Sequence, residues 1–213
     1  MSKPIVIAFS GGCFSGKTTT LKELRETLKA RGYSVITLDE LVRKYKINSI
    51  DALREDPSKY LEFQLEVITG KMVAEKQLLT GSYESVDVVL VDRAITDSLF
   101  YLLFYVDKSK LTTYDINLFY SLQKRVIDHI KDAWANIYDL VIEFLPMDKQ
   151  CNDSVFRPIR IDSLKYVEHD TISMLNDFAN STQPNYCNKL IKWDLNNVPS
   201  NALINGILTR FNL

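Results

Sequence analysis

Cysteine is scarce in this chain of 213 residues, and Cys13, Cys151 and Cys187 are odd in number and far apart. Such a trio gives neither a disulfide framework nor a paired-thiol metal site, and it fits a reducing, cytoplasmic setting. Excess charge is missing as well. Lys and Arg total 26 against 27 Asp and Glu, a net charge of −1, so bulk charge gives no attraction for a long polyanion such as duplex DNA, while a local basic patch stays open. The most conspicuous apolar run, Leu99 to Val106, has eight residues, far below the roughly 18 that cross a bilayer, so no transmembrane segment is expected. The opening MSKPIVIAFSGG has no long apolar core and no small-residue cleavage site, so no signal peptide is expected either. Neither His129 nor His169 has a second His or Cys at metal-ligand spacing, and both read as ordinary helix residues.

At this length the chain suits one α/β domain spanning 1–213. Ile5 to Phe9 is a continuous apolar, β-rich run between Pro4 and Gly11-Gly12, the pattern of a strand buried on both faces of a parallel sheet. From Lys17 to Arg31, Leu21, Leu24 and Leu28 fall at helical spacing, and Gly32 supplies a stop. Tyr33 to Leu38 reads as a second strand. Asp56-Pro57 caps a helix whose Leu61, Leu65, Ile68 and Met72 share a face, running on to Gly81. Val86 to Val91 is the most strand-like segment, and it runs into Asp92-Arg93. Helices are expected over Ala94 to Val106 and over Tyr114 to Trp134, the second capped by Thr113 ahead of Asp115. Leu140 to Leu145 is a fourth strand, Ser163 to Phe178 a helix capped by Asp162, 189–193 a short fifth strand, and Asn201 to Phe211 a closing helix. Strands alternating with helices predict a three-layer α/β domain with a parallel sheet, whose ligands lie outside the carboxyl ends of the strands.

Glycine is sparse, seven in all, yet three fall within Gly11-Gly12-Cys13-Phe14-Ser15-Gly16-Lys17-Thr18. This segment matches GxxxxGK[ST] between a predicted strand and a predicted helix, the phosphate loop of nucleotide-binding proteins. Glycine permits the tight loop, whose amides turn inward on phosphate oxygens at a helix N-terminus. Lys17 neutralises β- and γ-phosphate oxygens, Thr18 can ligate Mg2+, and Thr19 extends the cradle. Cys13 reads as a tolerated position that contributes mostly backbone.

Asp92 ends a strand expected beside the first, which aims a carboxylate at the metal or at an acceptor proton. Arg93 would reach a transferring or acceptor phosphate. Asp97, at i+4, either holds that guanidinium by a bidentate pair or is a surface helix charge. Asp39 and Glu40 end the second strand, where a carboxylate can accept a hydroxyl proton or bind a ribose, and Arg43 would project from the turn that follows. Arg157 and Arg160 sit in a polar segment, roughly 146–162, that would serve as a lid supplying charge to a transition state. Phe100, Tyr101, Phe104 and Tyr105 suit core or a homodimer face better than a base-stacking platform.

Taken together, the phosphate loop, the Asp92-Arg93-x-x-x-Asp97-Ser98-x-x-Tyr101 segment and the Asp153-Ser154-x-x-Arg157 segment give a chain that resembles the NadR-like P-loop kinase family over roughly residues 4–180. That family includes nicotinamide riboside kinase domains and is similar to thymidylate and deoxynucleoside kinases. The resemblance implies a five-stranded parallel sheet in the order 2-3-1-4-5, ATP with Mg2+ as donor, an arginine-bearing lid, and an acceptor pocket lined by Glu40 and Arg43 in the run ending at Tyr45. In one place the chain departs from the family: the lid reads CNDSVFRPIR, with Val155-Phe156 in place of a shorter turn, which leaves open whether Arg157 or Arg160 acts. No adenylyltransferase half is recognised, so a bifunctional salvage enzyme is not expected. The expected activity is transfer of the γ-phosphoryl group of ATP to a nucleoside or nucleoside monophosphate in nucleotide metabolism, with Asp39 or Asp92 as base. Two alternatives stay open, a kinase acting on a hydroxyl of a modified base or end in DNA, and a non-catalytic nucleotide-binding switch.

Overall fold

Strand β1 (Ile5–Ser10) is buried along nearly its whole length, and its side chains alternate between two hydrophobic clusters. Val6 and Ala8 face one, Ile7 and Phe9 the other, as the period of two in an extended chain requires. A computed structural model describes residues 3–13, 15–38, 50–80, 83, 85–147, 162–183 and 189–213, and the fold that follows is of those residues. Behind β1 come α1 (Lys17–Ala30), β2 (Val35–Leu38), α2 (Ile50–Arg54), α3 (Pro57–Gln77), β3 (Val88–Asp92) and α4 (Ile95–Tyr105). The chain continues through α5 (Thr113–Asp132), β4 (Leu140–Phe144), α6 (Asp162–Ser181), β5 (Leu190–Trp193) and α7 (Ser200–Phe211).

All strand pairs are parallel, and the sheet runs β2-β3-β1-β4-β5, the order that the resemblance implies. One face carries α3, α4 and α5 through Leu61, Ile68, Leu99, Leu102, Leu122 and Val126. The other is closed by α1 and α7 through Leu21, Leu24, Leu28, Leu203, Ile207 and Leu208. The result is the expected three-layer architecture. The register sets Phe9 beside Asp92 and Ser10 beside Glu143, so both neighbours of β1 bring a carboxylate to the mouth of the loop that follows it.

Several element ends differ from the sequence reading, each for a visible reason. β2 starts at Val35 because the Tyr33 amide bonds Leu28 O and the Ser34 amide donates to Asp87 Oδ2 at 2.7 Å, which removes both from the ladder. α3, capped by Asp56 with Pro57 at its first position, ends at Gln77, where the Leu78, Leu79 and Thr80 amides switch to carbonyls three residues back. The cap of α5 is Thr112, not Thr113. Asp115 stands three residues beyond Thr112, and the two close a reciprocal capping box. That helix passes into a π-turn over Ala133–Ile137, closed by Tyr138 N to Ala133 O at 2.8 Å, which carries Trp134 and Tyr138 into the core. α6 is described from Asp162 onward, and the expected Asp162 cap rests on a side chain outside the described residues. Of the aromatic run on α4, Phe100 is buried and Phe104 alone is exposed. No helix among the described residues is long and apolar enough to cross a membrane.

Candidate active site

The loop after β1 depends on glycine at both ends. Gly11 has φ 129°, and a Cβ there would stand 2.6 Å from the Phe144 carbonyl oxygen. Gly16 has φ 84° and is the residue from which α1 starts. Lys17 folds back along the loop, donating to Gly11 O at 2.7 Å, Gly12 O at 2.5 Å and Ser15 Oγ at 3.0 Å. Burial lowers its pKa to about 8, with Arg93 pushing the same way and Asp97 opposing. Thr18 donates from Oγ1 to Asp92 Oδ2 at 3.1 Å, while Asp92 Oδ1 is buried with no hydrogen-bond partner among the described residues. An orphaned carboxylate oxygen beside a threonine hydroxyl suits a hard cation that keeps several waters and phosphate oxygens. Thr19, one position on, is exposed.

Asp97 is neither a surface charge nor the bidentate partner of Arg93. It is fully buried, and its oxygens are already engaged: Oδ1 accepts from Ser10 Oγ at 2.5 Å and Oδ2 from Gly11 N at 3.2 Å. Arg93 Nη1 lies 3.6 Å from Oδ2, a single approach. Burial raises the Asp97 pKa to about 6, against the pull of Arg93, Lys17 and the Ser10 hydroxyl. Asn176 on α6 completes this knot, donating to Ser10 Oγ at 2.9 Å and Glu143 Oε2 at 3.0 Å while accepting from Thr96 Oγ1 at 2.6 Å.

Arg93 occupies the turn between β3 and α4 with φ 75°, an uncommon conformation for a residue with a side chain. Its Nη1 donates to the Tyr101 hydroxyl at 2.9 Å, the guanidinium lies 5.0 Å from that ring's centroid, and Nη2 is 3.7 Å from Cys13 Sγ. Tyr101 in turn donates to Glu168 Oε1, which also accepts the Cys13 amide at 3.2 Å. Deeper in the same layer, Tyr138 accepts from the Ile95 amide at 3.1 Å and donates to buried Glu75 at 2.6 Å. His129 Nε2 and Lys71 Nζ meet the same carboxylate at 2.7 and 3.1 Å. His129 is thus half of a buried pair rather than an ordinary helix residue.

Lys17, Thr18, Asp92, Arg93 and Asp97 therefore converge on the loop at the carboxyl end of the sheet. Phe14, Asp39, Glu40, Arg43, Tyr45, Asp153, Arg157 and Arg160 lie outside the described residues, as does most of the expected lid. Sequence reasoning passed over Ser10, Glu143, Glu168 and Asn176. For Tyr101 the signal was present, since it falls one helical turn beyond Asp97, but for the two α6 residues only a polar break in an amphipathic helix marked them.

A parallel sheet in this order, with a glycine-rich loop leading from the central strand into a helix, defines the P-loop nucleoside triphosphatase fold. The chain belongs to the AAA_28 family, described as AAA domain, whose pattern matches residues 6–182. Among solved structures, NadR protein in complex with NR is similar at 19% identity and TM-score 0.67, over 99% of this chain and 52% of that one. Deoxyadenosine kinase from M. mycoides with bound dCTP is similar at 13% identity and TM-score 0.60, over 98% of this chain and 99% of that one. Thymidylate kinase from Ehrlichia chaffeensis is similar at 14% identity and TM-score 0.50, over the full length of both. The chain spans about half the length of the NadR proteins that it matches. No curated protein matches the sequence.

Proposed function

We propose that the protein is an ATP- and Mg2+-dependent phosphotransferase that moves the γ-phosphoryl group of ATP to a nucleoside or nucleoside monophosphate. The observation that carries this reading is the pairing of Thr18 with Asp92 beside a glycine loop that encloses Lys17, with one Asp92 oxygen left for a cation. Mg2+ held through Thr18 and Asp92 would neutralise charge between the β- and γ-phosphates. Lys17, now bonded to loop carbonyls, turns to phosphate oxygens, and the loop amides hold the donor in line. Arg93 stands at the end of β3 and spreads charge on the transferring group, so positioning and electrostatics supply most of the rate. Asp97 acts through the loop, fixing Ser10 and the Gly11 amide. Asp39 or Asp92 would take the acceptor proton, and Glu40, Arg43, Arg157 and Arg160 would line the acceptor or close over the donor. A cytoplasmic setting and a role in nucleotide metabolism go with this activity.

The test is ADP release from Mg-ATP against nucleosides, nicotinamide riboside, nucleoside monophosphates and plain or modified DNA, with Lys17→Ala as blank. A small-molecule acceptor should give turnover that falls by several orders of magnitude in the variant while its circular dichroism is unchanged. Turnover retained in Lys17→Ala would sink the donor assignment, signal with DNA alone would make the substrate a polymer, and tight ATP binding with no turnover would mark a switch.

A further inference from the structure

A carboxylate lies where a phosphate loop normally meets only its ligand. Glu168 is 1% exposed, and its Oε1 accepts the Cys13 amide at 3.2 Å, one of the backbone donors of the loop. A Cβ on Gly12 would come within 3.3 Å of Glu168 Cγ and Cδ, so the side chain lies against the loop itself. The same oxygen takes the Tyr101 hydroxyl, and Tyr101 receives Arg93 Nη1 at 2.9 Å. One glutamate on α6 thus holds both a loop amide and, through a tyrosine, the arginine at the end of β3.

We propose that Glu168 is a specificity-determining residue that makes the site respond to a terminal phosphoryl group: a triphosphate displaces its carboxylate from the Cys13 amide and frees Arg93 from Tyr101, whereas a diphosphate leaves both bonds in place. The inference rests on the donor reading given above. Its physical basis is like charge. A γ-phosphoryl group drawn to Lys17, Arg93 and the first amides of the loop brings negative oxygens beside the Glu168 carboxylate, and the two anions cannot share one N–H donor. The α- and β-phosphates would be served by the helix end of the loop, at Gly16 to Thr18, three residues and more along the chain from Cys13. When the carboxylate leaves, Tyr101 loses its acceptor and Arg93 can exchange a neutral hydroxyl for a phosphoryl oxygen, a stronger charge-assisted partner. After transfer the diphosphate exerts no such pressure, Glu168 returns, and Arg93 is drawn back.

Glu168→Gln keeps the size of the side chain and an oxygen that can still accept both bonds, but removes the charge. Calorimetric titration of Mg-ATP and Mg-ADP into the wild-type chain and this variant should show Mg-ATP binding about tenfold tighter or more in the variant, since one charge about 4 Å away is worth roughly fivefold at water's dielectric and roughly a thousandfold at a protein's effective one. Mg-ADP affinity should change less than about twofold, on the same reasoning. Tyr101→Phe, which removes the hydroxyl that links Arg93 to Glu168 but keeps the carboxylate, should leave kcat at or above wild type and the Mg-ATP dissociation constant near it; a fall in kcat would overturn the release of Arg93 from Tyr101. Equal tightening of both nucleotides, or weaker Mg-ATP binding in Glu168→Gln, would overturn the proposal and make Glu168 a structural brace. A wild-type chain that binds no Mg-ATP would overturn the donor reading and this inference together, while wild-type binding with an unaltered ATP-to-ADP ratio in the variant overturns this inference alone.

Discussion

Lys17 and Asp97 are buried within one electrostatic neighbourhood, and burial displaces their pKa values toward one another, to about 8 and about 6. The phosphate loop needs the lysine charged and the aspartate ionised, so kcat/KM for Mg-ATP should be bell-shaped, with limbs near pH 6 and pH 8. In Asp97→Asn the acid limb should move or vanish, and an unaltered limb would assign it to another group. Stability follows the opposite logic. The folded state holds the Asp97 proton more tightly than the unfolded chain, so its contribution is full below pH 3.8 and is lost as pH rises through about 6. The triad of Lys17, Thr18 and Asp92 was legible in the sequence because the motif fixes its spacing. The true partners of Asp97 were not legible, since Ser10 lies far away along the chain and meets it only when β1 and β3 pair.

At the scale of an element, α4 depends on a cluster that no motif announces. Its first amide, at Ile95, is capped by the Tyr138 hydroxyl, which the π-turn after α5 delivers and Glu75 on α3 anchors. Tyr138→Phe leaves Ile95 N–H unsatisfied and takes a donor from Glu75, so unfolding free energy in urea should fall by roughly 1–3 kcal/mol. Glu75 carries a pH signature of its own. Burial alone would raise its pKa, but Lys71, His129 and Tyr138 bring it below the ordinary 4.5. It therefore stabilises the fold above that value, and the contribution fades as pH falls below it. Glu75→Gln should be less stable than wild type at pH 7, and the gap should narrow in acid; a constant gap would show that the charge plays no part. Helices were legible from their 3.6-residue apolar period and the central strands from short, continuous β-rich apolar runs. Their ends were less so. Thr112 and Thr113 are equivalent caps until Asp115 chooses between them, and the strand residues Tyr33 and Val86 lose their ladder bonds to local turns.

Across the whole molecule the sheet order followed from the resemblance, and the two-sided core followed from the unbroken apolar runs of β1 and β3. What could not be read were contacts that α6 makes back to the first loop, because nothing local to Glu168 or Asn176 points at Cys13 or Ser10. Near-zero net charge also makes a claim about the substrate. With a nucleoside or nucleotide acceptor, log(kcat/KM) for that acceptor should change little with log[salt], whereas a polymer held through several phosphates would give a steep negative slope. A slope of several units would favour the DNA reading.

The position of β1 also shapes how the chain comes into being. It leaves the ribosome before both flanking strands, β3 and β4, and before the α6 residues that grip its end. Throughout that interval the nascent chain carries a bare, apolar segment without its native strand neighbours, the kind most prone to stray association. The nucleotide loop is thus made well before the segments that complete it, and a ligand that needs the completed loop cannot assist folding until α6 exists.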